Sequence, residues 1–142
     1  MSAGTSEHFT FGNEWNGRLW FYGNGGAAGS CNPGGVLWAA SRGMVGVHTD
    51  MGTGNPPETL SMETIIDFGH RATHLTLLEA KRLVRETYGR EPDKCYFEGQ
   101  STGGGQGIHA AIRYPDDSRT GERIRSSLCD FLIIAALKAG VV

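Results

Sequence analysis

The sequence predicts an α/β fold in which short strands alternate with helices and form a parallel sheet. Apolar, strand-like segments occur at 18–22, 44–49 and 95–98, and helical periodicity fills the longest stretch between them. The chain has 22 glycines in 142 residues, and they are concentrated in the loops that follow these segments. In a parallel sheet such loops meet at the carboxyl ends of the strands, where α/β proteins hold their ligands.

The first half of the chain supplies two strands and a short helix. Arg18–Tyr22 is aromatic and apolar and runs into a glycine-rich loop. Residues 36–40 predict one or two helical turns, and we expect the Pro-Gly-Gly stretch before them to interrupt any longer helix. The second strand, at 44–49, ends at Asp50 and a Gly/Pro loop.

The second half begins with the strongest helical signal. Apolar residues recur at helical spacing from about Ser61, and Gly89 is the predicted C-terminal stop. The third strand, at 95–98, is followed by a sharp turn and by a helix over 104–114 that ends before Pro115. Strands and helices therefore alternate up to this point.

The tail differs from the rest of the chain. Residues 116–125 are polar and charged, and residues 128–142 form an apolar run that predicts a final helix packed on the sheet. From the length we expect one domain over 1–142, with 118–142 as a divergent tail.

Composition and charge exclude several classes of function. A net charge of −2 argues against a nucleic-acid partner, and no 18-residue apolar run is present that could span a membrane. The first ten residues lack the basic and apolar regions of a secretory signal. The three cysteines, Cys31, Cys95 and Cys129, match no zinc-site spacing, so we expect no metal and no cofactor. Their disulfide state stays open.

A G-x-S-x-G motif at 99–103 places Ser101 between the third strand and the next helix. That context is typical of a nucleophile elbow, in which a sharp turn lifts the serine Oγ above the strand ends. The backbone N–H of Thr102 is then available to bind an oxyanion. We therefore expect Ser101 to attack a carbonyl carbon and form an acyl-enzyme that water hydrolyses. The alternative is a tight strand–helix turn without chemistry.

The glycine-rich loop after the first strand has two interpretations. As a partner of the elbow, it offers a second oxyanion N–H from Gly25 or Gly26. As a dinucleotide fingerprint, Gly23, Gly25 and Ala28 satisfy G-x-G-x-x-A. Asp50, after the next strand, then stands where a ribose-binding carboxylate is expected. The helix-breaking residues that follow favour the oxyanion loop, because a pyrophosphate needs a helix N-terminus.

The histidines offer no general base within clear reach of the serine. His109 lies eight residues further along the same predicted helix, about 12 Å away at 1.5 Å per residue. His70 and His74 share a helix face, as either a metal pair or an ordinary helix surface. His48 and Asp50 share one face at the end of the second strand, where they could polarise a substrate.

These segments, in this order, resemble the N-terminal part of the catalytic domain of the tannase/feruloyl esterase family of carboxylic ester hydrolases. The motifs are WNGR at 15–18, GNGGAAGS at 23–30, the segment 42–52, DFGHRATH at 67–74, YGR at 88–90, YFEGQSTGGGQG at 96–107 and RYP at 113–115. The resemblance covers about residues 15–117. It implies an α/β-hydrolase fold with Ser101 as the acylated nucleophile, acting on esters of aromatic acids such as gallate or ferulate.

The chain departs from the family pattern in three ways. The family usually has a cysteine directly before the serine, disulfide-bonded to a cysteine beside the catalytic histidine, whereas Gln100 stands here. Family members are several times longer, with a calcium-binding lid domain and then the catalytic Asp and His, none of which follows Pro115. After Asp117 the expected apolar strand is replaced by the polar segment and the apolar tail.

The resemblance therefore implies a partial α/β-hydrolase fold without a lid domain or its calcium site. We expect an ester hydrolase that is truncated and weakly active or inactive, with a small-molecule aromatic ester as its substrate. Family members are typically exported, although no signal is visible here. One alternative is a non-catalytic remnant or interaction module that self-associates through open sheet edges. A dinucleotide-binding domain is the remaining alternative.

Overall fold

Strands and helices alternate along the chain as the sequence predicts. The computed structural model describes residues 7–10, 14–54, 61–115, 123–128 and 131–136. The strands are β1 (Glu7–Thr10), β2 (Arg18–Tyr22), β3 (Val45–Thr49), β4 (Lys94–Gln100), β5 (Arg123–Leu128) and β6 (Phe131–Ala136). The helices are α1 (Pro33–Ala40), α2 (Met62–Ile66), α3 (Ala72–Tyr88) and α4 (Thr102–Arg113), and a π-helical turn, Asp67–Arg71, joins α2 to α3.

The strands form one sheet in the order β1-β3-β2-β4-β5-β6. The four central strands, β3, β2, β4 and β5, run parallel, and the two outer strands pair antiparallel with their neighbours. The parallel centre confirms the predicted α/β fold class. It also brings the carboxyl ends of β2, β3 and β4 to one edge, so the loops that follow them converge there.

Alternate residues of β2 face opposite sides of the sheet. Leu19 and Phe21 are buried in the main apolar core, together with Val84 of α3. The Phe21 ring stacks on Phe97 of β4, with ring centroids 5.0 Å apart. Trp20 and Tyr22 therefore lie on the other face, by the two-residue period of a strand.

Helix α1 lies very close to that second face. A Cβ atom at Gly46 of β3 would come within 2.5 Å of the carbonyl oxygen of Val36. A Cβ atom at Gly35 would come within 2.7 Å of the Tyr22 ring. Both positions need glycine because the helix backbone directly contacts the strand and the ring.

The helix ends follow local rules. The Ser61 hydroxyl caps α2, and Gly89, with φ +69°, ends α3 as predicted. Our expectation that the Pro-Gly-Gly stretch would precede the first helix was wrong, because α1 begins at Pro33. Proline is tolerated in the first helical turn, and the Asn32 side chain caps the helix by accepting from the Gly34 N–H at 2.9 Å. None of the described helices is both long and apolar enough to cross a membrane.

The predicted C-terminal helix was also wrong. Residues 123–128 and 131–136 are β5 and β6, which pair antiparallel, and 137–142 lie outside the described residues. A short apolar run such as FLIIAA cannot be assigned to helix or strand from periodicity alone, and pairing in the sheet decides it. Strand β1 was missed because four residues at a sheet edge carry almost no periodic signal.

Candidate functional site

Ser101 occupies the turn that sequence analysis singled out. It lies between β4 and α4, exposed to solvent, with φ +55° and ψ −120°. A serine with positive φ is held in a sparsely populated region at a cost of about 1–3 kcal/mol, and such strain is concentrated at functional sites. The Ser101 carbonyl accepts from the Gly105 N–H at 3.2 Å and so begins the helix. The strand–turn–helix geometry of a nucleophile elbow is therefore present.

Three glycines let the elbow and the glycine-rich loop touch through their backbones. A Cβ atom at Gly99 would lie 2.4 Å from the carbonyl carbon and oxygen of Gly103. One at Gly103 would lie 2.8 Å from the Asn24 carbonyl oxygen, and one at Gly23 would lie 2.8 Å from the Gly103 Cα. No side chain fits between these segments, so the loop after β2 is held directly against the start of α4.

A buried amide network fixes the glycine-rich loop to its neighbours. The Asn24 side chain donates to the Thr49 carbonyl oxygen at 2.6 Å, and the Asn24 N–H donates to Gln106 Oε1 at 3.1 Å. The other end of the Gln106 amide donates to the Thr73 hydroxyl at 2.8 Å. Asn24 and Gln106 are each only 5% exposed. These bonds tie the loop to β3, α3 and α4, so its backbone is preorganised.

The predicted oxyanion residues come together at this junction. The Thr102 hydroxyl donates to the Gly26 carbonyl oxygen at 2.6 Å, and the Ala28 N–H donates to the Gly25 carbonyl oxygen at 3.1 Å. Among the described residues, no protein acceptor takes the backbone N–H of Gly25, Gly26 or Thr102. A Cβ atom at either glycine would meet nothing within 4 Å. The Cβ side of both glycines therefore adjoins open space rather than packed protein.

Ser101 opens onto a cavity of about 380 Å³. Ser101 and Gly25 line the side formed by the elbow and the glycine-rich loop. Tyr22 at the end of β2 and His48 on β3 line it from the sheet, and Asn32 lines it from the start of α1. The cavity is large enough for a small organic molecule and lies at the carboxyl ends of the strands.

His48 is buried against the sheet side of this cavity. The side chain is only 1% exposed, and its ring stacks on Tyr22 with centroids 6.0 Å apart. Its neighbour Asp50 is 4% exposed and accepts from the Gly52 N–H at 2.7 Å. His48 therefore faces the site while Asp50 stabilises the turn after β3.

His70 and His74 lie on a different surface, beside Tyr114. His70 Nδ1 is 2.6 Å from the Tyr114 hydroxyl, and the His74 ring stacks on Tyr114 at 3.8 Å. Burial, followed by the charges of Arg113 and Arg71, lowers the pKa of His70. Packing on Tyr114 thus accounts for the i,i+4 pair. Within the described ranges, no three His, Cys, Asp or Glu side chains are grouped so that they could hold a metal ion.

The geometry argues against the dinucleotide interpretation. A dinucleotide fingerprint opens its helix within the glycine motif, so that the pyrophosphate meets the helix N-terminus. Here α1 begins at Pro33, five residues after Ala28. The Asp50 carboxylate, which the fingerprint would assign to a ribose, accepts from the Gly52 N–H instead.

The cysteines do not link the elbow to another segment in the described part of the chain. Cys31 is half-buried and Cys95 is buried, and both are thiols. Burial and the nearby Asp50 raise the pKa of the Cys31 thiol to about 11. Cys129 lies outside the described residues. Gln100, directly before the serine, lines the cavity.

Two features of the site escaped sequence analysis. Gln106 was not among the predicted site residues, although a glutamine among glycines one turn after the elbow was a usable signal. For Tyr22 the sequence predicted only the end of a strand. Its place at the last position before a glycine-rich loop, on the face opposite the core, could have marked it as a cavity residue.

Comparison with known protein families matches residues 8–119 to the family described as tannase and feruloyl esterase. The match begins earlier than the segment 15–117 and ends slightly later. Among curated proteins, the probable feruloyl esterase B-2 of Aspergillus flavus is 33% identical over 106 residues, which are 72% of this chain and 20% of that protein. The probable feruloyl esterase B-2 of Aspergillus fumigatus is 34% identical over 110 residues, which are 75% of this chain and 21% of that protein. The chain thus spans about a fifth of the length of these relatives.

Solved structures show the same likeness. An esterase from Aspergillus oryzae superposes with a TM-score of 0.74 at 27% identity, covering 81% of this chain and 23% of that chain. Feruloyl esterase B from Aspergillus oryzae superposes with a TM-score of 0.69 at 33% identity, covering 75% of this chain and 22% of that chain. The partial α/β fold expected from the sequence is therefore confirmed.

Proposed function

Because the chain belongs to the tannase and feruloyl esterase family, we propose that it carries the nucleophile and oxyanion half of a serine ester hydrolase for aromatic acid esters. The observation that carries this proposal is the position of Ser101. It is exposed at an elbow with φ +55° and lines one cavity together with Gly25. The name feruloyl esterase, which several of the similar proteins carry, supports an aromatic acid as the acyl group.

The proposed reaction proceeds through an acyl-enzyme. Ser101 Oγ attacks the ester carbonyl carbon, and the bond from that carbon to the alcohol oxygen breaks while the proton lost by the serine hydroxyl is delivered, through a base, to the departing alcohol oxygen. Water then attacks the acyl-serine and releases the acid. The reaction as proposed uses no cofactor and no metal.

Backbone N–H groups of Gly25, Gly26 and Thr102 would stabilise the oxyanion in this reaction. The 2.6 Å bond between the Thr102 hydroxyl and the Gly26 carbonyl holds the two sources of N–H together. The N-terminus of α4 adds the positive end of its dipole beside Ser101. Such donors act because they are fixed before charge develops, and losing one typically costs about 100- to 1,000-fold in turnover.

Among the side chains that the structure describes, none is placed to act as the base for Ser101. His48 is the histidine that lines the Ser101 cavity, but the register of the sheet places it far from the serine. In the register of the sheet, His48 on β3 is level with Tyr22 on β2, and Tyr22 pairs with Glu98 on β4. His48 is therefore two strands away from β4 and level with the residue three positions before Ser101. Strand spacings of about 4.8 Å and rises of about 3.3 Å per residue separate their Cα atoms by about 14 Å. We therefore expect no more than trace turnover from this chain alone.

The test is modification of Ser101 by an excess of a fluorophosphonate at mildly alkaline pH, followed by intact mass and peptide mapping. We expect one adduct, at Ser101, and none in Ser101→Ala. Ser30 is an exposed serine that lines the same cavity and serves as the internal control. Modification of Ser101 no faster than Ser30 in the folded protein would overturn the proposal.

A second proposed property is self-association. β6 is an edge strand of the described sheet, and its sequence, FLIIAA, is apolar with no charge to oppose pairing. We propose that this edge pairs with a second copy of the chain. Sedimentation velocity should then show a dimer that Ile133→Lys converts to monomer, whereas a monomer for the unmodified chain would contradict it.

A further inference from the structure

The side of the cavity formed by the sheet is an aromatic wall that the proposed chemistry does not use. Tyr22 and His48 stack with an interplanar angle of 25° and ring centroids 6.0 Å apart. Both line the cavity that Ser101 also lines. Neither residue is part of the elbow or of the glycine-rich loop.

This wall is rigid. His48 is 1% exposed on β3, whose five residues are all buried. The Tyr22 ring is pressed against α1, since even a methyl group at Gly35 would approach it to 2.7 Å. Flat side chains that are already immobilised can bind a flat ligand with little further loss of conformational entropy.

The wall also lies at a useful distance from the nucleophile. The register that separates the His48 and Ser101 Cα atoms by about 14 Å leaves no direct hydrogen bond between their side chains. A substrate whose ester carbonyl is at Ser101 can instead extend across the cavity and reach the wall. A volume of about 380 Å³ holds one aromatic ring with a short spacer, not a large oligomer.

The rim next to the wall is polar. Ser30 and Asn32 are exposed at the start of α1 and line the same cavity. The Asn32 Oδ1 atom already accepts from the Gly34 N–H, so its position is fixed. A hydroxyl and an amide here suit a ring that carries hydroxyl or methoxy groups, because each can donate or accept a hydrogen bond.

We propose that the Tyr22 ring, held in place by the buried His48 ring, forms the subsite that contacts the aryl group of the acid half of the substrate. This inference rests on the proposed function and deepens it: Ser101 reacts with the carbonyl, and the stacked pair selects a single aromatic ring. His48 then positions the Tyr22 ring rather than acting as the base. The alcohol half of the ester points away from the wall.

Binding of a product-like acid tests the subsite without turnover. The probes are cinnamic acid and, as a saturated control, 3-cyclohexylpropanoic acid, each titrated into the full chain and followed by protein NMR shifts. We expect cinnamic acid to bind at least fivefold more tightly than the saturated acid, and to shift resonances of residues 22 and 48. Equal affinity for the two acids, or no binding of cinnamic acid, would overturn the inference.

Variants of the wall separate stacking from folding. Tyr22→Leu should weaken cinnamic acid binding at least fivefold, whereas Tyr22→Phe keeps the ring and should bind like the unmodified chain. Trp38→Leu removes an exposed aromatic ring outside the cavity and should change nothing. His48→Phe tests the second ring, and circular dichroism verifies the fold of each variant. Unchanged binding in folded Tyr22→Leu would overturn the inference.

The outcome is distinguishable from a failure of the proposed function. Ser101→Ala should still bind cinnamic acid, because the subsite does not include the nucleophile. Failed fluorophosphonate modification combined with binding that depends on Tyr22 would reject the esterase proposal and leave an aryl-acid site. Successful modification of Ser101 combined with binding that is indifferent to Tyr22 would reject the subsite alone.

Discussion

Thr102 and Gly26, 76 residues apart in the chain, are joined by a 2.6 Å hydrogen bond from the threonine hydroxyl to the glycine carbonyl oxygen. This bond connects the first residue of α4 with the glycine-rich loop after β2. The neighbours of these two residues, Ser101 on one segment and Gly25 on the other, line the same cavity. The Thr102 side chain therefore holds the elbow and the glycine-rich loop at a fixed spacing.

The first prediction concerns this bond. Thr102→Val keeps the shape of the side chain and removes the hydroxyl, so the Gly26 carbonyl loses its donor. We expect the free energy of unfolding to fall by about 1 kcal/mol and the fluorophosphonate reaction at Ser101 to slow. Thr102→Ser restores the donor and should recover both values. Equal reaction rates for the valine and serine variants would mean that the bond does not position the oxyanion groups.

The second prediction compares two glycines of α4. Gly103→Ala places a methyl group 2.8 Å from the Asn24 carbonyl oxygen, so it should lower the free energy of unfolding by about 2–3 kcal/mol. Gly105→Ala is the matched control, since a Cβ atom there meets nothing within 4 Å. That variant should be more stable by about 0.5–1 kcal/mol, because alanine favours the helix. Urea denaturation measures both, and similar midpoints would contradict the close backbone contact.

The parts of the fold that follow local rules could be predicted from sequence. The turn at Ser101, the stop at Gly89 and the strand at Arg18–Tyr22 each depend on residues within a few positions. The elbow in particular requires small residues on both sides of the serine, and these can be recognised directly in the sequence. The position of the glycine-rich loop beside the elbow could be inferred because the loop follows a neighbouring strand.

The parts of the fold that depend on contacts between distant residues could not be predicted from the sequence. Gln106 bonds Asn24, 82 residues away, and Thr73, 33 residues away, and nothing in a linear pattern specifies either partner. The apolar run at Phe131–Ala136 is strand rather than helix because it pairs with β5. The place of Tyr22 beside His48 depends on the parallel register of β2 and β3, which only the assembled sheet defines.

The third prediction concerns pH. Burial, and then neighbouring positive charges, lower the folded-state pKa of His70 from its usual 6.5. The groups whose charges act on it are Arg113, Arg71, His109 and His74, and the Tyr114 hydroxyl contacts it. The unfolded chain therefore binds a proton at higher pH than the folded chain does. This contribution to stability is complete above about pH 6.5 and is lost as the pH falls through the lowered folded value.

Replacement of the imidazole should remove that dependence. His70→Gln keeps a hydrogen-bonding group near Tyr114 but has no proton to gain in this range. We expect its unfolding midpoint in urea to decline less steeply than that of the unmodified chain as the pH drops below about 6.5. Around pH 8, where the imidazole is neutral in both the folded and the unfolded chain, the difference between the two unfolding midpoints should no longer change with pH. Parallel curves over the whole range would show that His70 is not the responsible group.

The last prediction concerns the strained backbone at Ser101. With φ +55°, this position favours glycine, which adopts positive φ without a Cβ clash. Ser101→Gly should therefore be more stable than Ser101→Ala by about 1 kcal/mol, although neither variant can react with a fluorophosphonate. Ser41 is the matched control, because it is exposed with φ −62° and should show no gain from glycine over alanine. If Ser101→Gly and Ser101→Ala unfold at the same urea concentration, the elbow stores no strain and the serine is held there without cost.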